Sequence, residues 1–183
     1  MTLLGSATSF GSTRNVRHRA ALLASAALLI SGCQHHRSVQ LDKPELAAFV
    51  RLVMPARLEI QRYLTRPCDF AGGGDADGLE VILTTLDSSG DPVKCLGTFH
   101  FELHTVRLAS ADKLGKLVAR WSTTVGSSES LAQYWDRSSR YYRFPLKLAG
   151  ETLAPGRYVL SAWLITPTDE KLFDDYEFTH GPS

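Results

Sequence analysis

The amino-acid sequence predicts an all-β fold: an antiparallel two-sheet sandwich of seven strands, with a short N-terminal helix and a second short helix between the fourth and fifth strands. Three observations predict it. From Arg57 onward apolar residues recur at every second position, the period of a half-buried strand. Segments rich in Gly, Asp, Ser and Pro separate these runs, as turns do. The runs do not alternate with long helical patterns, which argues against a parallel α/β sheet.

The chain begins with the pattern of an export signal. The apolar run Ala20–Ile30 is too short to span a hydrocarbon core, which needs roughly 20 apolar residues in a helix. A basic segment without acidic residues precedes the run, and small residues follow it (Arg14, Arg17 and Arg19; Ser31 and Gly32). This order is typical of a secretory signal.

The end of that segment, Ile30-Ser31-Gly32-Cys33, resembles the lipobox of bacterial lipoprotein signal peptides. The resemblance implies that residues 1–32 are removed and that Cys33 is acylated and becomes the new N-terminus. It also implies a membrane-anchored lipoprotein of the cell envelope that faces the periplasm or the exterior. The alternatives are an ordinary secretory signal, or a buried helix followed by an unrelated cysteine.

The expected mature chain has the length of one domain. Removal of residues 1–32 from the 183 leaves 151. Because the leader carries three of the twenty Lys and Arg and no Asp or Glu, the mature chain has 17 basic and 19 acidic side chains, a net charge of −2. We therefore expect no nucleic acid as a partner, since the basic field that would hold phosphates is missing.

Residues 33–56 are expected to form a lipid-anchored tether and a short helix. Asp42 suits the N-cap, Pro44 suits the first turn, and Glu45 follows the cap by three residues. Apolar residues then recur at helical spacing: Leu46, Phe49, Val50 and Val53. We expect this stripe to pack on the domain; the alternative is that it lies on the bilayer surface beside the lipid.

Residues 57–183 are expected to form the sandwich. The apolar positions of the seven strands are, in order, Leu58, Ile60 and Leu64; Leu79, Val81 and Leu83; Phe99, Phe101 and Leu103; Leu117, Ala119 and Trp121; Tyr142, Phe144, Leu146 and Leu148; Tyr158, Leu160, Ala162 and Leu164; Tyr176 and Phe178. Between the fourth and fifth of these, residues 128–135 predict a short helix capped by Ser127 or Ser128.

One stretch refines the fold class. Leu153–Pro167 (LAPGRYVLSAWLITP) resembles the entry into the sixth strand of immunoglobulin-like, fibronectin type III-like and transthyretin-like domains. The resemblance implies an immunoglobulin-like sandwich in which Tyr158 closes a corner by bonding back to the preceding connection. More broadly, residues 54–104 and 140–148 resemble uncharacterised bacterial lipoproteins with a single sandwich domain, which implies an envelope location and a fold but no activity.

Two sets of residues are candidates for binding a metal. Asp75 and Asp77 resemble part of a calcium loop, but Gly73 and Thr84 stand where two essential ligands belong, so a plain turn is favoured. His100, Glu102 and His104 share one face of a strand. Because the two histidines would lie about 13 Å apart, a zinc site would need ligands from an adjacent strand, and a solvated polar face is favoured.

Nothing in the sequence predicts a covalent mechanism or a cofactor. No serine lies in a G-x-S-x-G motif, and the glycines at 72–74 do not belong to a phosphate-binding loop. Aromatic and basic residues do cluster at Tyr134, Trp135, Arg137 and Tyr141, a composition that suits a sugar- or protein-binding edge. Packing of the connecting helix against the core is the favoured alternative for these rings.

Cys68 and Cys95 remain as thiols once Cys33 is acylated. The strand expected between them would hold them near opposite ends of about 26 Å of extended chain, whereas a disulfide needs Cα atoms within about 7 Å. We expect two free, mostly buried thiols unless the glycine-rich loop carries Cys68 back along the sheet. A disulfide therefore stays open as the alternative.

Taken together, these patterns predict a lipid-anchored envelope protein with a non-catalytic binding or structural domain. An envelope protein or a glycan is the expected partner, besides the membrane reached by the lipid. The alternative function is that of a metal-dependent enzyme or metal-binding protein that uses His100, Glu102 and His104, or the loop of Asp75 and Asp77.

Overall fold

Two antiparallel sheets face each other in the computed structural model, which describes residues 44–107 and 113–181. The predicted signal peptide, the acylation site Cys33 and the tether lie outside the described residues. Within them, the predicted all-β class and its antiparallel two-sheet arrangement are confirmed.

The first sheet has five strands. They are β1 (Arg57–Ile60), β2 (Arg66–Cys68), β3 (Gly78–Leu86), β6 (Trp135–Asp136) and β7 (Tyr141–Lys147). The order is β1-β3-β7-β6, and β2 also pairs with β3, beyond the end of β1.

The second sheet has four strands in the order β5-β4-β8-β9. They are β4 (Gly97–Val106), β5 (Leu114–Val125), β8 (Gly156–Ile165) and β9 (Lys171–His180). Two helices complete the described chain, α1 (Pro44–Val53) and α2 (Ser128–Tyr134). Ser127 caps α2: its hydroxyl accepts a hydrogen bond from the amide of Ser130, whose own hydroxyl accepts one from the amide of Ser127.

The prediction of seven strands is corrected to nine in the described ranges, because β2 and β6 are too short to show a period of two. The first predicted strand also ends early, at Ile60 instead of Leu64. A turn follows it, in which the amides of Leu64 and Thr65 both donate to the carbonyl of Gln61.

Aromatic rings from both sheets meet between them and form the centre of the core. Phe99 of β4 lies 4.9 Å from Phe144 and 5.1 Å from Tyr142, both of β7, measured between ring centroids. All three rings are fully buried. Burial of such side chains contributes about 1.5–3 kcal/mol each, so this contact stabilises the packing of the two sheets.

Two side-chain hydrogen bonds to backbone carbonyls lie at the edges of the sandwich. The Tyr158 hydroxyl donates to the carbonyl oxygen of Ala154 at 2.6 Å, the return bond that the resemblance of this segment implied. The indole Nε1 of Trp121 on β5 donates to the carbonyl oxygen of Lys147 on β7 at 2.7 Å and so joins the two sheets at one edge.

The predicted packing of α1 against the domain is wrong for most of its apolar stripe. Leu46, Phe49 and Val53 of that stripe are 47%, 59% and 47% exposed. The neighbouring Leu52 is 61% exposed. The helix exists as the spacing predicted, but its apolar side chains do not insert between the sheets, whose facing surfaces are already filled by strand residues.

Candidate functional site

A groove crosses the outer face of the five-stranded sheet and has a volume of about 380 Å³. Its floor is Ile82 of β3, which is only 5% exposed although it points away from the core. Tyr63 and Leu64 border one side, and Tyr141 borders the other. The remaining lining residues are polar or charged: Arg66, Glu80, Asp136, Ser139 and Arg143.

The first wall of the groove is the turn between β1 and β2. The Thr65 hydroxyl accepts from the amide of Ile82 at 3.0 Å and donates to its carbonyl at 3.3 Å, so that a side chain fills the place of a missing strand partner. Gln61 donates to the Thr84 hydroxyl at 2.9 Å. With these two anchors the turn projects Tyr63 into solvent, and its side chain is fully exposed at 103% of the reference area.

The second wall is the turn between β6 and β7. The Asp136 carboxylate accepts from the amides of Ser138 and Ser139 at 2.7 and 3.1 Å. The amide of Ser139, followed by that of Ser138, lowers the pKa of Asp136 below its usual range. Asp136 is therefore held as an anion beside Tyr141.

A shared ion pair lies along the floor. The Glu80 carboxylate is 3.3 Å from Arg143 and 3.5 Å from Arg66, which come from strands on either side of β3. The two guanidinium side chains are 60% and 70% exposed, so both keep donors available to a bound molecule. The arrangement can bind a surface that offers carboxylates or carbonyls between two aromatic rings.

Only Tyr141 among the predicted binding candidates lines this groove. Trp135 is 8% exposed and lies edge-on to Tyr142 at 4.9 Å, and Tyr134 stacks on Phe144 at 5.0 Å. These two rings pack within the domain, as the favoured alternative held. Arg137 is exposed and does not line the groove.

Sequence reasoning missed Tyr63, Arg66 and Arg143 as members of a site. A tyrosine on the polar side of an expected strand was the one available signal, because an exposed aromatic residue is unusual where a charged one would serve. The two arginines converge only through the pairing of β2 and β7 with β3, which no local pattern reports.

Of the three predicted metal ligands on β4, the structure brings Glu102 and His104 together and leaves His100 apart. Glu102 accepts from Arg120 Nε at 2.7 Å, and its other oxygen is 3.0 Å from His104 Nε2. The hydrogen bond with His104, followed by that with Arg120, lowers the pKa of Glu102. His100 instead stacks on Trp163 of β8 at 5.2 Å.

A second groove of about 750 Å³ lies on this face of the four-stranded sheet, with Val159 and Ser161 as its buried floor. Two of its carboxylates are paired within the domain: Glu177 with Lys113 and Arg157, and Glu102 with Arg120 and His104. Its indole is partly covered, because Trp163 stacks on His100 and has the Lys171 ammonium 5.0 Å from its ring. We therefore regard this groove as the weaker candidate.

The acidic loop is organised by Asp69 and not by a metal-like cluster. The Asp69 carboxylate accepts from the amides of Gly72, Gly73 and Gly74 at 2.6, 3.1 and 2.6 Å, and these bonds, that of Gly74 first, lower its pKa. Asp77 accepts from the amide of Phe70 at 2.7 Å, and Asp75 is exposed. Over residues 44–107 and 113–181, no three His, Cys, Asp or Glu side chains come close enough to hold a metal ion.

Both described cysteines are free thiols, as predicted. Cys68 is partly exposed on β2, whereas Cys95 is buried, and burial raises the pKa of its thiol to about 12. Among the described residues, neither thiol forms a hydrogen bond with a histidine that could activate it as a nucleophile.

Comparison with protein-family models, with curated proteins and with solved structures finds no match for this chain. Among the described residues, no helix has the length and apolar character needed to cross a bilayer.

Proposed function

We propose that the protein is a lipid-anchored component of the cell envelope whose sandwich domain binds a partner and carries out no catalysis. The anchor is argued from the lipobox-like end of the leader at Cys33. The single observation that carries the binding role is the groove between Tyr63 and Tyr141, with its fully exposed Tyr63 and its two exposed arginines.

We also propose an immunoglobulin-like topology of the fibronectin type III kind for the domain. The strand order supports it. Without β2 and β6, the remaining seven strands, numbered in chain order, run first-second-fifth in one sheet and fourth-third-sixth-seventh in the other. The corner bond of Tyr158 supports the same assignment. The two short strands β2 and β6 are then additions to the first sheet.

The composition of the groove favours another protein as the partner. Tyrosine and arginine are the residue types most enriched where proteins recognise one another, and here they surround an apolar floor. A protein segment can set an apolar side chain on Ile82 and a carboxylate against Arg66 or Arg143. A glycan could stack on the exposed ring of Tyr63, but it has no apolar side chain to set on Ile82, and a neutral glycan has no carboxylate for the two arginines.

Mass spectrometry of the native N-terminus tests the anchor. We expect a mature chain that begins at an acylated Cys33, found with membranes after fractionation. The Cys33→Ser variant should lose both the added mass and the membrane association. An intact leader, or cleavage at another residue, would contradict the proposal.

Site-specific photo-crosslinking in living cells tests the binding surface. A photoreactive phenylalanine analogue at Tyr63 should give a discrete adduct with a protein, lost when Arg66 and Arg143 are both changed to Gln. The same analogue at Leu117, which is 40% exposed on the other sheet and lines neither groove, is the matched control and should give none. An adduct only with glycan, or equal adducts at both positions, would refute a protein-binding groove.

A further inference from the structure

Helix α1 presents the largest concentration of exposed apolar side chains in the described chain. Leu46, Phe49, Leu52 and Val53 are 47%, 59%, 61% and 47% exposed within ten residues. Isolated apolar residues at a surface are ordinary, but a contiguous apolar face on a helix indicates a surface that covers it. The core of the sandwich cannot supply that cover, since its aromatic centre is closed by strand residues.

The place of α1 in the chain points to the covering surface. Pro44 is eleven residues after Cys33, so at 3.3–3.6 Å per residue the intervening chain spans at most about 40 Å. A lipid on Cys33 would therefore hold the helix within a few helix diameters of the bilayer. The tether raises the local concentration of the apolar face at the bilayer surface. A weak intrinsic affinity of the helix for lipid is then enough to keep it bound there.

We propose that α1 lies in the membrane interface, with Leu46, Phe49, Leu52 and Val53 among the lipid headgroups and upper acyl chains; this inference rests on the proposed acylation of Cys33. Interfacial helices bind through buried apolar area and through attraction to anionic lipids. The helix sequence has one acidic and one basic residue, Glu45 and Arg51, so the apolar area provides the binding.

This location of α1 would restrict the orientation of the sandwich domain at the membrane. With α1 on the bilayer and β1 beginning four residues after the helix ends, the first strand of the sandwich starts at the membrane surface. The helix then acts as a second attachment point beside the lipid. Two attachments restrict the orientation of the domain, whereas a lipid on a tether alone leaves it free to rotate.

Hydrogen exchange on reconstituted protein tests this inference. The full chain is expressed with its own leader, purified in its mature form and placed in vesicles of phosphatidylethanolamine and phosphatidylglycerol. We expect the backbone amides of residues 44–53, apart from Pro44, which has no N–H, to exchange at least about tenfold more slowly than in the double variant Phe49→Gln/Leu52→Gln. Gln has a helix propensity as high as that of Leu and higher than that of Phe, so the variant retains the intrinsic stability of the helix.

The control is Leu117→Gln on β5, which removes a residue of similar exposure, 40%, outside α1 and should leave exchange of residues 44–53 unchanged. The intact mass of the same vesicle sample reports whether Cys33 is acylated. Equal exchange in the wild type and the double variant, with Cys33 acylated, would overturn the interfacial helix alone. An unmodified Cys33 would overturn this inference and the proposed anchor together.

Discussion

The side-chain hydroxyl of Tyr142 satisfies both backbone polar groups of Cys95. It donates to the carbonyl oxygen at 2.8 Å and accepts from the amide nitrogen at 2.6 Å. Cys95 precedes β4 in the second sheet, whereas Tyr142 belongs to β7 in the first. The ring of Tyr142 also packs against Phe99, so one residue fills the core and fastens the entry to the facing sheet.

Replacement of Tyr142 by Phe should therefore destabilise the domain without opening a large cavity. The variant leaves a buried amide and a buried carbonyl without a partner, which costs about 1–3 kcal/mol in the free energy of unfolding. Urea denaturation measures it. Tyr141→Phe, one residue away and directed at the opposite face, is the control and should change stability by less than about 0.5 kcal/mol. Equal effects of the two changes would contradict the role of the Tyr142 hydroxyl.

Gly78 should tolerate no side chain, because β7 approaches it closely. A Cβ at this position would lie 2.3 Å from the carbonyl oxygen of Leu146 and 2.9 Å from the ring of Phe70. Since the nearest atom belongs to the backbone, the strand itself must shift, and we expect Gly78→Ala to cost about 1–3 kcal/mol.

Gly73→Ala is the matched control in the loop before β3. No atom lies within 4 Å of a Cβ built there, so the change should be nearly neutral in thermal denaturation. A Gly78→Ala variant as stable as the wild type would show that β3 and β7 are not paired as described.

The two described thiols should differ in reactivity. Cys68 is partly exposed, whereas Cys95 is buried and burial raises the pKa of its thiol to about 12. Because the thiolate is the reactive species, Cys68 should react with a disulfide reagent at pH 8 at least about tenfold faster than Cys95 in the folded protein. The Cys68→Ser variant should lose the fast phase, and denaturant should make Cys95 reactive. With Cys33 also changed to Ser, a fast phase that survives in Cys68→Ser would contradict the burial of Cys95.

The fold class was predictable because it depends on a local pattern. The alternation of Phe99, Phe101 and Leu103 with polar neighbours indicates which side of β4 is buried, even when the strands that pair with β4 are unknown. The strands β2 and β6 were not predictable, since three and two residues cannot display a period. Their existence depends on neighbours in space that are distant in sequence.

The candidate site was much less predictable than the fold. The cluster at Tyr134, Trp135, Arg137 and Tyr141 looked like one surface, but α2 and β6 turn two of its rings inward. The groove instead combines Tyr141 with Tyr63 and with arginines that the sheet brings together. Composition reports that aromatic residues are near one another in sequence, whereas only the strand pairing decides which of them share a face.

Glu102 should contribute to stability in a way that depends on pH. Its pKa is lowered in the folded protein, first by the hydrogen bond with His104 and then by Arg120. For a group whose folded pKa lies below the unfolded value, about 4.3 for Glu, the stabilisation is fully present above the unfolded value. It is lost as the pH falls through the folded pKa.

We expect Glu102→Gln to reduce the free energy of unfolding by about 0.5–1 kcal/mol at pH 7, the scale of a partly exposed ion pair. The difference from the wild type should shrink steadily below pH about 4, as measured by urea denaturation across pH. Glu151→Gln, on the exposed connection before β8, is the control and should change the free energy of unfolding by less than about 0.5 kcal/mol at pH 7. A constant difference between Glu102→Gln and the wild type from pH 7 to pH 3 would show that the carboxylate charge is not what stabilises this contact.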